Sequence, residues 1–353
     1  MEGAYYNGQY LNRLERLGYS QAEIDNKLES TFEEMFYGPE GVRLCHCAGP
    51  DMMYIEDTGN HDVRTEGMSY AMMFCVQMNR QKEFDCLWRW VVTHMYLTEG
   101  ENAGYFAWSC HTDGSKNSDG PAPDGEEFFA MSLFFAANRW GSGEGVLDYA
   151  SWARRILHAC VHKGEEAGSG FPMWNPENHL IKFVPNCEFT DPSYHLPHFY
   201  ELFALWSDEC DRPFWHAAAA ASRQYLRKAC HARTGLSAEY AEYDGRPHRG
   251  DQPDRHDWFF SDAYRTLGNI ALDAQWFGDK DGWAQETAAH IQQFFEEKEH
   301  GQTNGIYLID GTPVEGNALH PVGLLATIAQ GSLILDDACA DEWLRRFFST
   351  PLR

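Results

Sequence analysis

The sequence predicts an all-α chain built as a double-layered ring of helical hairpins, an (α/α)6 barrel in one domain spanning residues 1–353 with short β-hairpin decorations. Three observations lead there. Apolar residues return at three- and four-residue steps from end to end, which is the period of a helix with one buried face. The helices alternate between two kinds. Glu66, Asp124, Tyr194, Asp262 and Asn317, near the starts of one kind, are separated by 58, 70, 68 and 55 residues, a spacing that divides the chain into about six units.

The first helix is announced by Ser20-Gln21-Ala22-Glu23, whose serine and glutamate can exchange hydrogen bonds across the first turn, and it stops at Gly38. Further helical runs fit 66–80, 81–96, 124–139, 146–162, 193–208, 212–231, 262–276, 279–299, 317–335 and 338–348. One kind is small and apolar all round, as in Met68-Ser69-Tyr70-Ala71-Met72-Met73, and suits an inner layer packed on every side. The other carries charge on one face, as in Phe294-Phe295-Glu296-Glu297-Lys298-Glu299, and suits an outer layer with a wet face. Leu180–Val184 and Ile306–Ile309, the latter followed by Asp310-Gly311, read as short strands. No Pro-, Gly- or Ser-rich linker divides the chain. Long loops at 100–123, 164–192 and 232–260 precede inner helices, and their aromatic content argues for ordered, functional loops rather than disorder.

With 28 basic and 53 acidic residues the net charge is −25, which repels phosphate backbones and anionic lipid headgroups. Nucleic acid and membrane are therefore poor partners, whereas a neutral substrate is acceptable. No apolar stretch approaches a membrane span, no basic-then-apolar leader opens the chain, and the ten cysteines, several in apolar helical contexts, read as free thiols, so a cytoplasmic protein is expected. Cys45-His46-Cys47 lacks a partner pair at zinc spacing, and neither metal nor cofactor is expected.

In a ring of antiparallel pairs the inner helices all point one way, so carboxylates at their starts converge on one face. Glu66, Asp124 and Asp262 each occupy such a first turn. Acids there are often ordinary caps. Company distinguishes these, because Tyr70, Phe128, Phe129, Phe259, Phe260 and Tyr264 lie within a few residues, and aromatic faces beside carboxylates suit the C–H faces and hydroxyl edges of a sugar. Glycoside hydrolysis needs one protonated and one ionised carboxyl. A helix start favours the ionised form, so a general acid at Glu66 needs burial or an anionic neighbour, and Asp124 is placed to be that neighbour.

These residues resemble a known family. Asp62-Val63-Arg64-Thr65-Glu66-Gly67-Met68-Ser69-Tyr70-Ala71-Met72 looks like the general-acid motif of glycoside hydrolase family eight. Ala122-Pro123-Asp124-Gly125-Glu126 resembles its second acidic motif, departing where Gly125 and Glu126 replace a more usual Asp. Asp191-Pro192-Ser193-Tyr194 with Phe199-Tyr200 is similar to its aromatic segment, and Ser261-Asp262-Ala263-Tyr264-Arg265 to its general-base segment. The resemblance implies an (α/α)6 barrel and inversion, with Glu66 as acid, Asp262 as base about 6.5–9.5 Å away, and Asp124 holding the distorted sugar. It further implies substrate contacts from Arg64, Trp108, Tyr194, His198 and Arg265. Trp174 and Trp258 are further candidate platforms for stacking sugars.

Ala318-Leu319-His320-Pro321 resembles the loop that walls off the product side in the family's reducing-end xylose-releasing exo-oligoxylanases, with His320 at the wall. Proline makes such a kink physically reasonable, since it fixes its own φ and pushes the preceding residue out of the helical region. The expected reaction is release of xylose from the reducing end of β-1,4-xylo-oligosaccharides. Three alternatives stand beside it: an endo-acting xylanase or glucanase of the same family, a sugar epimerase on a similar toroid, and a non-catalytic carbohydrate binder.

Overall fold

The computed structural model describes residues 1–165, 169–250 and 255–351. Residues 166–168 and 251–254, within the expected loops 164–192 and 232–260, and residues 352–353 lie outside the described residues. Thirteen α-helices are found among the described residues. In order they are α1 (Ala4–Asn7), α2 (Arg13–Arg16), α3 (Gln21–Tyr37), α4 (Thr65–Gln77), α5 (Gln81–Trp90), α6 (Pro123–Trp140) and α7 (Tyr149–His162), then α8 (Pro197–Trp206), α9 (Arg212–Ala229), α10 (Arg265–Phe277), α11 (Trp283–Glu299), α12 (Pro321–Gln330) and α13 (Ala338–Ser349). None of them is long and apolar enough to cross a membrane.

The fold is an (α/α)6 barrel, as the spacing predicts. Five consecutive hairpins, α4–α5, α6–α7, α8–α9, α10–α11 and α12–α13, pack partner against partner, and α4, α6, α8, α10 and α12 succeed one another around the inside. The outer partner α3 closes the ring. Tyr19, just before it, packs its ring 4.1 Å from that of Phe348 in α13, tilted by 37°, while Arg80 at the head of α5 lies over the Phe32 ring of α3. The inner helices are apolar on nearly every side: Met68, Met72, Phe129, Ala130, Leu133 and Ala271 are all buried.

Helix starts follow the chemistry of their first residues. Ser20 and Glu23 form the reciprocal cap on α3. Prolines open α6, α8 and α12, where a missing N–H costs nothing and φ is already set. Three expected helices are interrupted by tighter or wider turns. The run expected over 193–208 is a 3-10 turn, Pro192–Tyr194, a break at His195 and Leu196, and then α8, because Pro197 drives Leu196 out of the helical region to ψ 64°. The run over 262–276 begins as a 3-10 turn, Ser261–Tyr264, before α10, and the run over 81–96 ends as a π-turn, Val91–Met95.

Among the described residues seven short strands decorate the loops: β1 (Cys45–Cys47), β2 (Met53–Ile55), β3 (Asp62–Arg64), β4 (Ser109–His111), β5 (Trp258–Phe259), β6 (Ile306–Leu308) and β7 (Pro313–Val314). All pair antiparallel, as β1–β2, β3–β4 and β5–β6–β7. The hairpin expected at Ile306–Ile309 is present, turning at Gly311 with φ 89°. Leu180–Val184 is not a strand. Only Ile181 forms a bridge there, to Trp174, and Pro185 ends any ladder by removing a donor. Cys45-His46-Cys47 is the edge strand β1, with His46 paired to Glu56 at 3.2 Å.

Candidate active site

Two pieces of β-structure aim the first acid. Strand β3 runs directly into α4, so Glu66 falls in the first helical turn, and its partner β4 brings Trp108 alongside: the Thr65 N–H donates to the Trp108 carbonyl at 3.0 Å. Arg64 is held between the Asp62 carboxylate, at 3.0 Å, and the Trp108 ring, whose centroid lies 5.2 Å from the guanidinium. Glu66 itself is half-buried at the head of α4.

The second acid arrives on α6. Asp124 is 3% exposed and accepts from its neighbour's amide, Gly125 N–H, at 2.9 Å. Gly125 accounts for the departure from the expected motif. A Cβ there would stand 2.4 Å from the Thr65 side chain, so the bare backbone lets the heads of α4 and α6 touch and brings Asp124 up to Glu66.

Arg265, the first residue of α10, ties these acids to the third. Its guanidinium donates to Asp124 Oδ2 and to the Tyr70 hydroxyl, each at 2.8 Å, and lies 3.3 Å from Asp262 Oδ1. The Tyr194 ring sits against the same cation at 5.6 Å. Asp262, with a side chain 40% exposed, is open to water, unlike the buried Asp124. The residue before it, Ser261, is held at φ 45°, a left-handed conformation costly for a side chain and found where surroundings over-determine it.

The charge balance is lopsided, and burial makes that count. Burial and the Asp124 charge push the Glu66 carboxyl up to about 8, against a weaker opposing pull from Arg265. Burial raises Asp124 to about 6, with Arg265 holding it down. Burial and the Asp124 charge both favour the protonated form of Glu66, the state a general acid requires.

Other acids around the cluster were not singled out from the sequence. Asp191 is fully buried, accepts the Ser193 N–H at 2.6 Å, and is pushed well up by burial and by Asp262. Its second oxygen finds no hydrogen-bond partner among the described residues. Glu239, raised to about 8 by burial and Asp262, lies beside the Asp262 N–H and the Ser261 hydroxyl and meets His256 Nδ1 at 2.8 Å. Glu126 and Glu127, near the head of α6, are buried, accepting from the Phe106 N–H at 3.0 Å and from the Tyr200 hydroxyl respectively. Asp191 stood inside a quoted motif and could have been found there; nothing local in sequence marks Glu239.

The remaining expected contacts divide. Trp108 borders a cavity of about 490 Å³ shared with Glu99, Asn102, Asp119, Phe171 and Pro185. Leu319 and His320 stand exposed at the head of α12, which packs on the Ser261–Tyr264 turn beside Asp262. His198 is a correction. It is 1% exposed and wedged edge-on against Phe199 and Trp276, 4.7 and 5.2 Å between centroids, so it fills the core rather than facing a substrate. Trp174 is likewise core, edge-on to Trp215 at 4.9 Å, while Trp258 is committed to β5 and to Arg255. Burial holds both His195 and His198 down to about 3, in keeping with their place inside the fold.

A model of the glycosyl hydrolases family 8 matches residues 19–335 of the chain. The chain belongs to glycosyl hydrolases family 8. It is 53% identical over 354 residues to the reducing end xylose-releasing exo-oligoxylanase of Halalkalibacterium halodurans, covering 100% of this chain and 90% of that protein. To the enzyme of the same description from Paenibacillus barcinonensis it is 54% identical over 356 residues, covering 100% and 92%. A solved structure of a variant of the Paenibacillus enzyme, complexed with 3(3)-alpha-L-arabinofuranosyl-xylotetraose, superposes with a TM-score of 0.97 at 53% identity over 100% of this chain and 92% of that chain. Family 8 membership makes the chain a glycoside hydrolase.

Proposed function

We propose that this chain is an inverting glycoside hydrolase that removes one xylose at a time from the reducing end of β-1,4-xylo-oligosaccharides, with residues 1–353 acting as one catalytic domain. The observation that carries the chemistry is the meeting of Asp124 and Asp262 on one guanidinium, Arg265, with Glu66 in the same field: burial and the Asp124 charge push the Glu66 carboxyl up, while the Asp262 side chain stays open to water. The substrate and the end attacked rest on the relatives named above and on the exposed Leu319-His320-Pro321 corner beside Asp262.

In this reading Glu66 gives its proton to the glycosidic oxygen as the C1–O bond breaks. Asp262 takes a proton from a water that attacks C1 from the opposite face, so a single displacement turns the β linkage into an α hydroxyl on the shortened oligosaccharide. Asp124, fixed by Arg265, hydrogen-bonds the distorted sugar at the cleavage site, and Tyr70 and Tyr194 wall it. Trp108 and the adjoining cavity receive sugars on the far side of the scissile bond, and His320 limits the product side to one sugar. The contributing side chains come from α4, α6, α10 and the loops between them, so the site is a property of the whole ring. Ten unpaired thiols support a reducing, cytoplasmic compartment.

Xylotriose labelled at its reducing end tests the reading. The label should appear in monosaccharide alone. Labelled xylobiose, or a preference for long xylan, would replace the exo-acting reading with an endo-acting one. Glu66→Gln should lower kcat by about 100- to 10,000-fold while leaving substrate binding measurable by calorimetry.

A further inference from the structure

Away from the cleft, the last turns of α7 carry His158 and His162, one helical turn apart and therefore on one face, with ring centroids 4.5 Å apart. Against them sits Asp211, at the head of α9. Its Oδ1 is 2.7 Å from His162 Nε2 and its Oδ2 is 3.6 Å from His158 Nδ1, and one donor atom from each of the three residues lies within 4.8 Å of the others.

Two details go beyond proximity. An aspartate at a helix N-cap ordinarily turns its carboxylate onto the free amides of the first turn. Asp211 makes no such cap, although it is only 3% exposed, and instead presents both oxygens to the histidines. The ring nitrogen of His162 turned away from Asp211, Nδ1, meets the Glu165 carboxylate at 2.8 Å. A carboxylate behind the second nitrogen is the arrangement that orients a metal-bound imidazole.

We propose that His158, His162 and Asp211 form a site for a divalent transition metal of the zinc type, distinct from the catalytic acids. Two histidines at i and i+4 on a helix with a carboxylate from another element is a recognised zinc donor set. Donor atoms in a tetrahedral zinc site lie roughly 3.3 Å apart; here one donor from each residue falls within 4.8 Å of the others, so side-chain adjustment without backbone movement would draw the three onto one ion. The thiol of Cys210, 3.5 Å from Asp211 Oδ1, stands next to the open position.

The place of the site gives it a structural task. It joins the end of α7 to the head of α9, and α7's end also anchors the cleft wall: the Tyr105 hydroxyl lies between the Ala159 and Phe171 carbonyls, 3.0 and 2.9 Å away, and Lys163 Nζ donates to the Ala103 carbonyl at 2.6 Å. Phe171 and Glu99–Asn102 line the cavity beside Trp108.

The test is a calorimetric titration of zinc chloride into the full-length, chelator-treated protein, paired with thermal unfolding. One zinc should bind and raise the unfolding midpoint, and both effects should vanish in His158→Gln and in His162→Gln. Glu165→Gln, which leaves every ligand in place, should weaken binding about 10–100-fold. Cobalt(II) added to the unaltered protein should give the visible absorption of a tetrahedral centre. Failure of zinc to bind, or binding that survives in both histidine variants, would overturn the proposal.

Discussion

Glu66, Asp124 and Asp262 share a single cation, Arg265, and that shortage organises the chemistry at the scale of residues. On the proposed role of Glu66 as general acid, with burial and the Asp124 charge pushing its carboxyl up to about 8, kcat/KM should hold steady through neutrality and fall as the pH rises through about 8. Stability should carry the same mark. A carboxyl raised in the folded state binds more protons folded than unfolded, so its contribution is full below its unfolded value of 4.5 and is lost as the pH climbs to about 8. Glu66→Gln should therefore unfold at a higher temperature than the parent at pH near 8, with the advantage shrinking toward pH 4, as followed by calorimetry across that window. Glu239 offers a second check, since it lies under the strained Ser261–Asp262 turn. Glu239→Ala should lower kcat more than it raises KM, because it disturbs where Asp262 points rather than what holds the sugar; an unchanged kcat would remove Glu239 from that role. Much of this cluster was legible in the sequence. Glu66, Asp124, Asp262, Arg265 and Tyr194, read from helix starts and the family likeness, do meet around one guanidinium. His198 was misread because a histidine two residues from an inner-helix start looks the same in sequence whether it faces the ring's mouth or its core. Glu239 was invisible because it reaches Asp262 only through folding of a loop 23 residues away.

The elements were largely written in apolar periodicity, which is why the helices of the five hairpins and α3 were foreseen close to where they lie. What the period could not show was how a helix begins. The 3-10 turns at Pro192–Tyr194 and Ser261–Tyr264 bend the chain just before α8 and α10, and those bends set Tyr194 and Asp262 beside Arg265. Strands of two or three residues, such as β3 and β4, carry too few side chains for alternation to register, yet their pairing fixes Trp108 beside Glu66. Contact between the heads of α4 and α6 depends on Gly125, where an added methyl would overlap Thr65. Gly125→Ala should cost about 1–3 kcal/mol in denaturant unfolding and, by pushing Asp124 away from Glu66, move the alkaline limb of the activity profile to lower pH. A variant of parental stability and profile would show that the helix heads can part freely.

For the whole molecule, the ring is what turns scattered acids into a site. Helix α3 closes it between α13 and α5, with Arg13 just ahead reaching Asp336 and Asp341 at 3.2 Å each. The surrounding charge of −25 acts on charged partners and leaves a neutral oligosaccharide alone. Accordingly kcat/KM on unsubstituted xylo-oligosaccharides should stay flat between roughly 0.01 and 1 M ionic strength, over which surface fields are progressively screened. The most direct test of the central claim follows the sugar's own stereochemistry. Proton NMR of xylotriose hydrolysis, recorded before mutarotation, reads the configuration at the reducing end newly formed on xylobiose. Single displacement between Glu66 and Asp262 predicts the α anomer first; the β anomer appearing first would mean a covalent intermediate and would contradict the account.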